Sequence, residues 1–347
     1  MGRDSVWIVG GGVMGCAAAR SLAKKGIAAT LVEQFHIGHE RGSSHGAARI
    51  FRLSYPDARY VAMAMQALPM WRALERDADE SLLTTTGGLD RGVDLDDHVA
   101  ALAACGAPYE LVPGPQVSSR WPHLSLPEDE MVLYQPDAGV VLADRAVSAL
   151  ARDFATAGGT IYEGIRVTSV KAKSTEVEIE TTDGRYDAPC VIVTAGAWAR
   201  GLLVTGGIEL DTRPTRETVA YFDYEGPSPP TLVEWGEPSV YALPSLGHQI
   251  KAGEHIAGPT TDPDEEGRVN NESIERISEW VGTRYPRANS RPAFSETCLY
   301  TNTPDEHFVL KRYGRIVVGS PCSGHGFKFA PLIGQQLADL AQQALDG

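Results

Sequence analysis

Three consecutive glycines and a fourth close by, Gly10-Gly11-Gly12-Val13-Met14-Gly15, follow directly on the apolar run Ser5-Val6-Trp7-Ile8-Val9. A short run of that kind reads as a buried parallel strand. Residues 13–25 are rich in Ala and Leu, carry lysines at their end and meet Gly26, which predicts a helix with a glycine stop. Residues 28–32 then predict a second strand, closed by Glu33. The result is one βαβ unit with a glycine string at its first turn. In such a unit the first glycine permits a tight turn, the second lets backbone approach a pyrophosphate, and the third allows close helix packing. The carboxylate after the second strand accepts from a ribose hydroxyl, and the helix N-terminus supplies a positive dipole. Gly10, Gly12, Gly15 and Glu33 are therefore the candidate dinucleotide-binding residues, the alternative being a glycine-rich turn in another α/β fold.

Composition narrows the classes of partner. A hydrophobic content of 43% over 347 residues supports a large core in one or two domains. The formal net charge of −14 argues against a nucleic-acid surface, which needs a concentrated basic patch. No apolar run approaches the roughly eighteen residues of a membrane span. The expected setting is cytoplasmic, without membrane or nucleic-acid partners. Cys16, Cys105, Cys190, Cys298 and Cys322 are widely spaced and form no CxxC pair, so neither a disulfide framework nor a metal site is indicated.

Further along, residues 59–77 predict a helix containing Pro69, residues 81–135 mix short strands with turns, and residues 145–157 predict a helix. Residues 190–193 predict a buried strand. Residues 212–290 carry Pro, Gly and Glu between strand-like runs, as expected of an antiparallel sheet over a binding site. Near the end, residues 315–319 predict a strand that passes through Gly319-Ser320-Pro321-Cys322-Ser323-Gly324-His325-Gly326-Phe327-Lys328 into a helix over 330–345. A helix N-terminus with a nearby lysine would stabilise the anionic pyrimidine end of a reduced flavin. Lys251 and His255 are four apart in a strand-like run and so share a face. If Ser245-Leu246-Gly247 is a three-residue hairpin loop, Tyr241 pairs opposite Lys251, and the three line one pocket or one surface hairpin.

Three stretches carry a resemblance to a known family: Gly42-Ser43-Ser44-His45-Gly46-Ala47-Ala48-Arg49-Ile50-Phe51-Arg52, Cys298-Leu299-Tyr300-Thr301 leading to Asp305-Glu306-His307-Phe308, and Ser323-Gly324-His325-Gly326-Phe327-Lys328-Phe329. In these the chain resembles the monomeric sarcosine oxidase group of FAD-dependent amine oxidases, within the D-amino-acid-oxidase-like superfamily, over nearly its whole length. The resemblance implies that Cys298 forms a thioether to a ring methyl of FAD, a residue otherwise read as an inert buried thiol. It implies that Ser43, Ser44, His45, Gly324 and Gly326 join the cofactor site and that Arg49 sits against the flavin ring. Arg52 and Lys328 would clamp the substrate carboxylate, although three-apart arginines also suit a solvated helix face. Tyr241, Lys251, His255 and His325 would complete the catalytic set. Ala47 and Ala48 replace polar residues of the sarcosine enzymes, and Leu232 stands where those have methionine.

The expectation is an α/β chain in which a Rossmann-type FAD-binding domain (residues 1–80, 140–211 and 291–347) interleaves with an α+β substrate domain (81–139 and 212–290) carrying an antiparallel sheet. The expected activity is FAD-dependent oxidation by a monomer of a small carboxylate-bearing secondary amine, giving an imine and hydrogen peroxide from oxygen. Candidate substrates are sarcosine, other N-methyl amino acids and cyclic imino acids such as proline or pipecolate. The rival readings are an amine dehydrogenase with another electron acceptor and a flavin-binding protein without turnover.

Overall fold

Val6 and Ile8 point to one side of the first strand, Val6–Val9, and Trp7 and Val9 to the other, and all four are buried. A strand covered on both faces needs a layer on each side. In the computed structural model, which describes residues 5–93 and 95–347, both layers are present. Val6 and Ile8 pack into a core with the helices Val13–Lys24, Ala143–Thr156 and Ala330–Asp346. Trp7 and Val9 pack against an antiparallel meander, Val167–Ala172, Val177–Thr181 and Gly184–Ala188.

The first strand lies inside a six-stranded sheet ordered Val309–Tyr313, Ile316–Ser320, Val191–Val193, Val6–Val9, Ala29–Val32 and Thr160–Tyr162. All pairs are parallel except Val309–Tyr313 with Ile316–Ser320. The five parallel strands, from both ends and the middle of the chain, thus meet side by side with their C-terminal ends at one edge. That edge carries Gly10, Glu33, Thr194 and Pro321.

An eight-stranded sheet stands over this edge, ordered Phe294–Asn302, Arg213–Asp223, Gln249–Glu254, Val240–Ser245, Thr231–Trp235, Gly88–Gly92, Met131–Gln135 and Glu110–Pro113. Its pairings are antiparallel except for Gly88–Gly92 with Thr231–Trp235. Helix Asn271–Arg284 covers its far face, where Ile277 and Val281 meet Ile250 and Ala252. The strand Phe294–Asn302 falls within the segment 291–347 expected on the cofactor side, yet it pairs along its whole length with Arg213–Asp223. It is a strand of the eight-stranded sheet, held there by continuous backbone hydrogen bonding.

Three local expectations are corrected. Residues 81–135 include two helices, Leu95–Cys105 and Gly114–Arg120, besides short strands; Asp96 and Asp97 in the first turn of the former favour its N-terminal dipole. Arg49 and Arg52 share no helix: Arg49–Phe51 is a short strand paired with Gly139–Val141. The hairpin loop is Leu246-Gly247-His248, closed by left-handed Gly247 and His248, so Tyr241 pairs with Gly253 and Lys251 with Leu243. The register moves by two residues, an even step that leaves Tyr241 and Lys251 on the same face. His255 lies just past its strand, its N–H donating to the Ser239 carbonyl at 2.9 Å.

Candidate active site

A cavity of about 710 Å³ runs from the glycine turn to the underside of the eight-stranded sheet, within the range of about 300–1,000 Å³ usual for ligand pockets. It is lined by every candidate residue named from sequence except Gly15. Gly15 acts from behind the wall, since a Cβ there would lie 1.8 Å from the Gly10 carbonyl oxygen. Only glycine lets the helix pack that close to the turn.

At the nucleotide end, buried Glu33 accepts from the Gly11 N–H at 2.7 Å and the Phe35 N–H at 2.9 Å. Ser44 Oγ accepts from the Val13 N–H at 3.0 Å and so caps the glycine-turn helix from a distant loop. Ser43 Oγ donates to the Leu299 carbonyl, tying the same loop to the Cys298 strand. Arg49 staples the loop from within, donating to the carbonyls of Ser43 (3.0 Å), His45 (2.6 Å) and Ala48 (2.9 Å). His45 is buried with neither ring nitrogen bonded to protein among the described residues. Burial, then the Arg49 charge, hold it down to about 4, so its ring is neutral and free to meet a bound group.

Beyond this loop the lining changes character. Cys298 lies opposite Glu217 in its sheet, and burial raises its thiol despite the nearby Arg49 and Lys251. Tyr241 and Tyr300 share a side-chain hydrogen bond, and the His255 ring sits 5.8 Å from Tyr300. Burial, then Arg52 and Lys328, hold His255 down to about 4. His325 stacks on Phe308 at 4.6 Å, approaches the Glu306 carbonyl with Nε2 at 3.1 Å, and is kept neutral by burial and by Lys328.

Arg52 and Lys328 come together around one ring. The Arg52 guanidinium lies 4.2 Å from the centre of the Tyr55 ring and 4.9 Å from that of Trp235, and it donates to the Ser54 carbonyl. Lys328 Nζ lies 5.4 Å from the Tyr55 ring, donating to the Tyr55 hydroxyl at 2.7 Å and to the His325 carbonyl at 2.8 Å. Burial, then Arg52, push the Lys328 amine well below its usual range. Guanidinium carries five N–H donors, so Arg52 retains capacity toward the cavity; Lys328 has a third donor only as the ammonium, the form that an anion beside it restores. Lys251 is equally buried and is lowered to about 8 by burial and by Arg49.

Several residues of the site gave no sequence signal. Asp90, buried on Gly88–Gly92, accepts from Gln135 and from Trp235 Nε1 (3.0 Å) and lies 3.9 Å from Arg52. Gln135 Oε1 also takes the N–H groups of Leu53 and Ser54, and His98 bonds Ser54 Oγ at 2.7 Å. This network fixes the backbone that carries Arg52, but its members come from separate strands and a helix with no motif linking them. Glu296, two residues before Cys298, lies 3.5 Å from Lys251.

Known proteins resemble this chain in sequence and in fold. The FAD dependent oxidoreductase (DAO) family matches residues 5–340. Peroxisomal sarcosine oxidase of Mus musculus is 32% identical, over 97% of this chain and 91% of that protein. Monomeric sarcosine oxidase of Bacillus sp. (strain NS-129) is also 32% identical, over 97% and 92%. Among solved structures, NikD, an unusual amino acid oxidase essential for nikkomycin biosynthesis, superposes with a TM-score of 0.88 at 26% identity, over 97% of this chain and 93% of that one. L-proline dehydrogenase from P. horikoshii shares the fold at a TM-score of 0.88 and 20% identity, over 98% and 94%.

The neutral histidines make acid stability a test of this geometry. His45, His98 and His255 titrate at about 4, 3 and 4 in the fold, against about 6.5 in an unfolded chain. Between these limits the unfolded state binds more protons, so stability falls as pH falls from about 6.5 toward 4. Asp90, raised to about 6 by burial, and Glu217, also raised by burial, oppose this in part. The denaturant midpoint should drop between pH 7 and pH 5, and His98→Asn should flatten the drop; a midpoint that rises on acidification contradicts the buried, neutral assignment.

Proposed function

The chain belongs to the FAD-dependent oxidoreductase family, in its sarcosine oxidase group, and from that premise we propose an oxidase of a small carboxylate-bearing secondary amine. Sarcosine, another N-methyl amino acid or a cyclic imino acid fits the description. FAD is the cofactor. When bound it accepts a hydride from the carbon beside the substrate nitrogen, leaving an imine, and passes the electron pair to oxygen to give hydrogen peroxide.

The observation that carries the reading is the excess of positive charge at one end of the cavity. Arg49, Arg52 and Lys251 line it together with Lys328, whose amine burial and Arg52 hold below its usual range until an anion arrives, while the lining acids Glu33, Asp262 and Asp264 belong to the nucleotide end. A chain of net charge −14 has concentrated cations where water is scarce, and unpaired buried charge is costly. A substrate carboxylate between Arg52 and Lys328 relieves that cost, and so does negative charge on the reduced cofactor. Asp90 behind Arg52 and the two flanking rings fix the guanidinium without consuming its cavity-facing donors. His255 and Tyr241 stay neutral beside the substrate amine, adding no charge that would repel or protonate it.

At the nucleotide end Glu33 would receive the ribose, and the helix Val13–Lys24 would offer its N-terminus to the pyrophosphate. Gly10, Gly12, Ser43, Ser44, Gly324 and Gly326 would form the cofactor walls, and His45 and His325 would offer it neutral rings. Cys298 would hold FAD covalently, its sulfur replacing a hydrogen of a ring methyl while oxygen takes up the two hydrogens as hydrogen peroxide; Arg49 and Lys251 favour its thiolate against the burial that opposes it. Residues 1–80, 140–211 and 291–347 supply the cofactor-binding unit and residues 81–139 and 212–290 the substrate-facing one, with Phe294–Asn302 joining the two through its sheet pairing.

Two outcomes test these assignments. Losing one partner of a desolvated charge pair costs about 2–5 kcal/mol, so Arg52→Gln should weaken binding of an acidic amine roughly 30-fold to several-thousand-fold. The methyl ester of the same amine should lose much less. Equal losses for acid and ester contradict the carboxylate clamp. Separately, the denatured wild-type chain should carry the mass of one FAD and Cys298→Ser should carry none; an unmodified wild-type mass in a fully yellow sample removes the covalent link.

A further inference from the structure

Lys251 and Glu296 occupy strands on opposite sides of Arg213–Asp223, and their side chains meet over it. Lys251 pairs in register with Tyr221, and Glu296 with Val219. Residues 219 and 221 share a face, so the amine and the carboxylate converge on the same side. There Glu296 Oε1 accepts from the Tyr221 hydroxyl at 2.6 Å and lies 3.5 Å from Lys251 Nζ. Lys251 Nζ also stands 5.1 Å from the centre of the Tyr221 ring, and Phe294 stacks on that ring at 4.2 Å.

Gly46 closes the nook. Its φ of +96° is unfavourable for any side chain, and a Cβ there would lie 3.0 Å from Glu296 Oε1, 3.4 Å from Lys251 Nζ and 3.5 Å from the Tyr221 hydroxyl. The three polar groups are thus packed beneath bare backbone.

Other charges around Lys251 do not serve as its counter-ion. Arg49 repels it, and His45 from the same loop is neutral. Tyr221, Tyr241 and Cys298 are all raised by burial and stay protonated near neutral pH. Helix Asn271–Arg284 packs on the far face of the sheet, where Arg276 pairs with Glu254. Glu296 itself faces Lys251, Tyr221, His45 at 4.0 Å and Arg49. Burial opposes its charge, but these neighbours outweigh burial and hold it in the carboxylate form.

We propose that Glu296 is a positioning residue whose carboxylate, oriented by the Tyr221 hydroxyl, keeps Lys251 an ammonium turned to the cavity. The inference rests on the proposed oxidase activity, and within it we read Lys251 as the cation that serves the oxygen half-reaction. A fixed positive charge stabilises the anion that forms when oxygen accepts an electron, and a neutral amine does not.

The experiment follows Lys251 directly. In the FAD-loaded protein carrying isotope-labelled lysine, the Lys251 side-chain signal is identified by its loss in Lys251→Met and titrated by NMR. An opposite charge at this range shifts a titration by about 1–3 pH units, so Glu296→Gln should lower the Lys251 midpoint by that much and Glu296→Asp should largely restore it. Reoxidation of the reduced enzyme by oxygen, followed by stopped flow, should lose roughly tenfold at pH 7 in Glu296→Gln and recover toward wild type as pH is lowered. Anaerobic reduction by substrate should change less. An unchanged Lys251 midpoint in Glu296→Gln overturns the proposal. Unchanged reoxidation in Lys251→Met overturns the oxygen role of Lys251 instead, and the midpoint then still decides whether Glu296 holds its charge.

Discussion

Arg49, Arg52, Lys251 and Lys328 converge on a cavity that shields them from water, and keeping charge there costs free energy that the surrounding structure must offset. Each cation is held in a different way. Arg49 is spread over three loop carbonyls, Arg52 lies between two rings with Asp90 behind it, Lys328 rests on Tyr55 and a carbonyl, and Lys251 faces Glu296. Among the described residues, carboxylates lie within 4 Å of Arg52 and Lys251, and neither forms a close bidentate pair with its cation. The field left over points into the cavity, which suits the negative charge of the proposed acidic substrate and reduced flavin.

The two sheets make this possible by separating tasks. The parallel sheet ends in turns whose backbone groups suit a nucleotide, and its helices bury the opposite face. The eight-stranded sheet contributes side chains, alternating so that Tyr221, Tyr241 and Lys251 face the site while Phe222, Ala242 and Ile250 face helix Asn271–Arg284. Phe294–Asn302 brings Cys298 to the junction, and the Ser43 hydroxyl binds that strand to the loop that Arg49 staples. Cys298, the cation cluster and the glycine turn are therefore mechanically joined through one loop and one strand.

The glycine turn, its flanking strands and Glu33 were legible because their signals are local: an apolar run, a string without side chains, and a helix-forming composition, in order. The hairpin register was not, since it depends on the consecutive left-handed residues Gly247 and His248, and a histidine gives no warning of that geometry. Helix Leu95–Cys105 was hidden by its short amphipathic run among turn residues. Asp90, Gln135 and His98 act through three-dimensional proximity alone, so linear spacing could not link them to Arg52. Glu296 was accessible in principle, because a residue two before Cys298 on a strand shares its face. The site residues suggested by the resemblance were found as separate stretches; their common cavity is information that only the fold contains.

The central claim is that this cavity oxidises an acidic secondary amine through its flavin, and anaerobic mixing with such amines tests it most directly. The purified protein, cleared of oxygen, is titrated with sarcosine, other N-methyl amino acids, proline and pipecolate while the flavin absorbance is followed. At least one of these should bleach the flavin in stoichiometric amount, and admitting air should restore the colour with release of hydrogen peroxide. A flavin that stays oxidised with every acidic amine, or bleaches equally with amines lacking a carboxylate, contradicts the account.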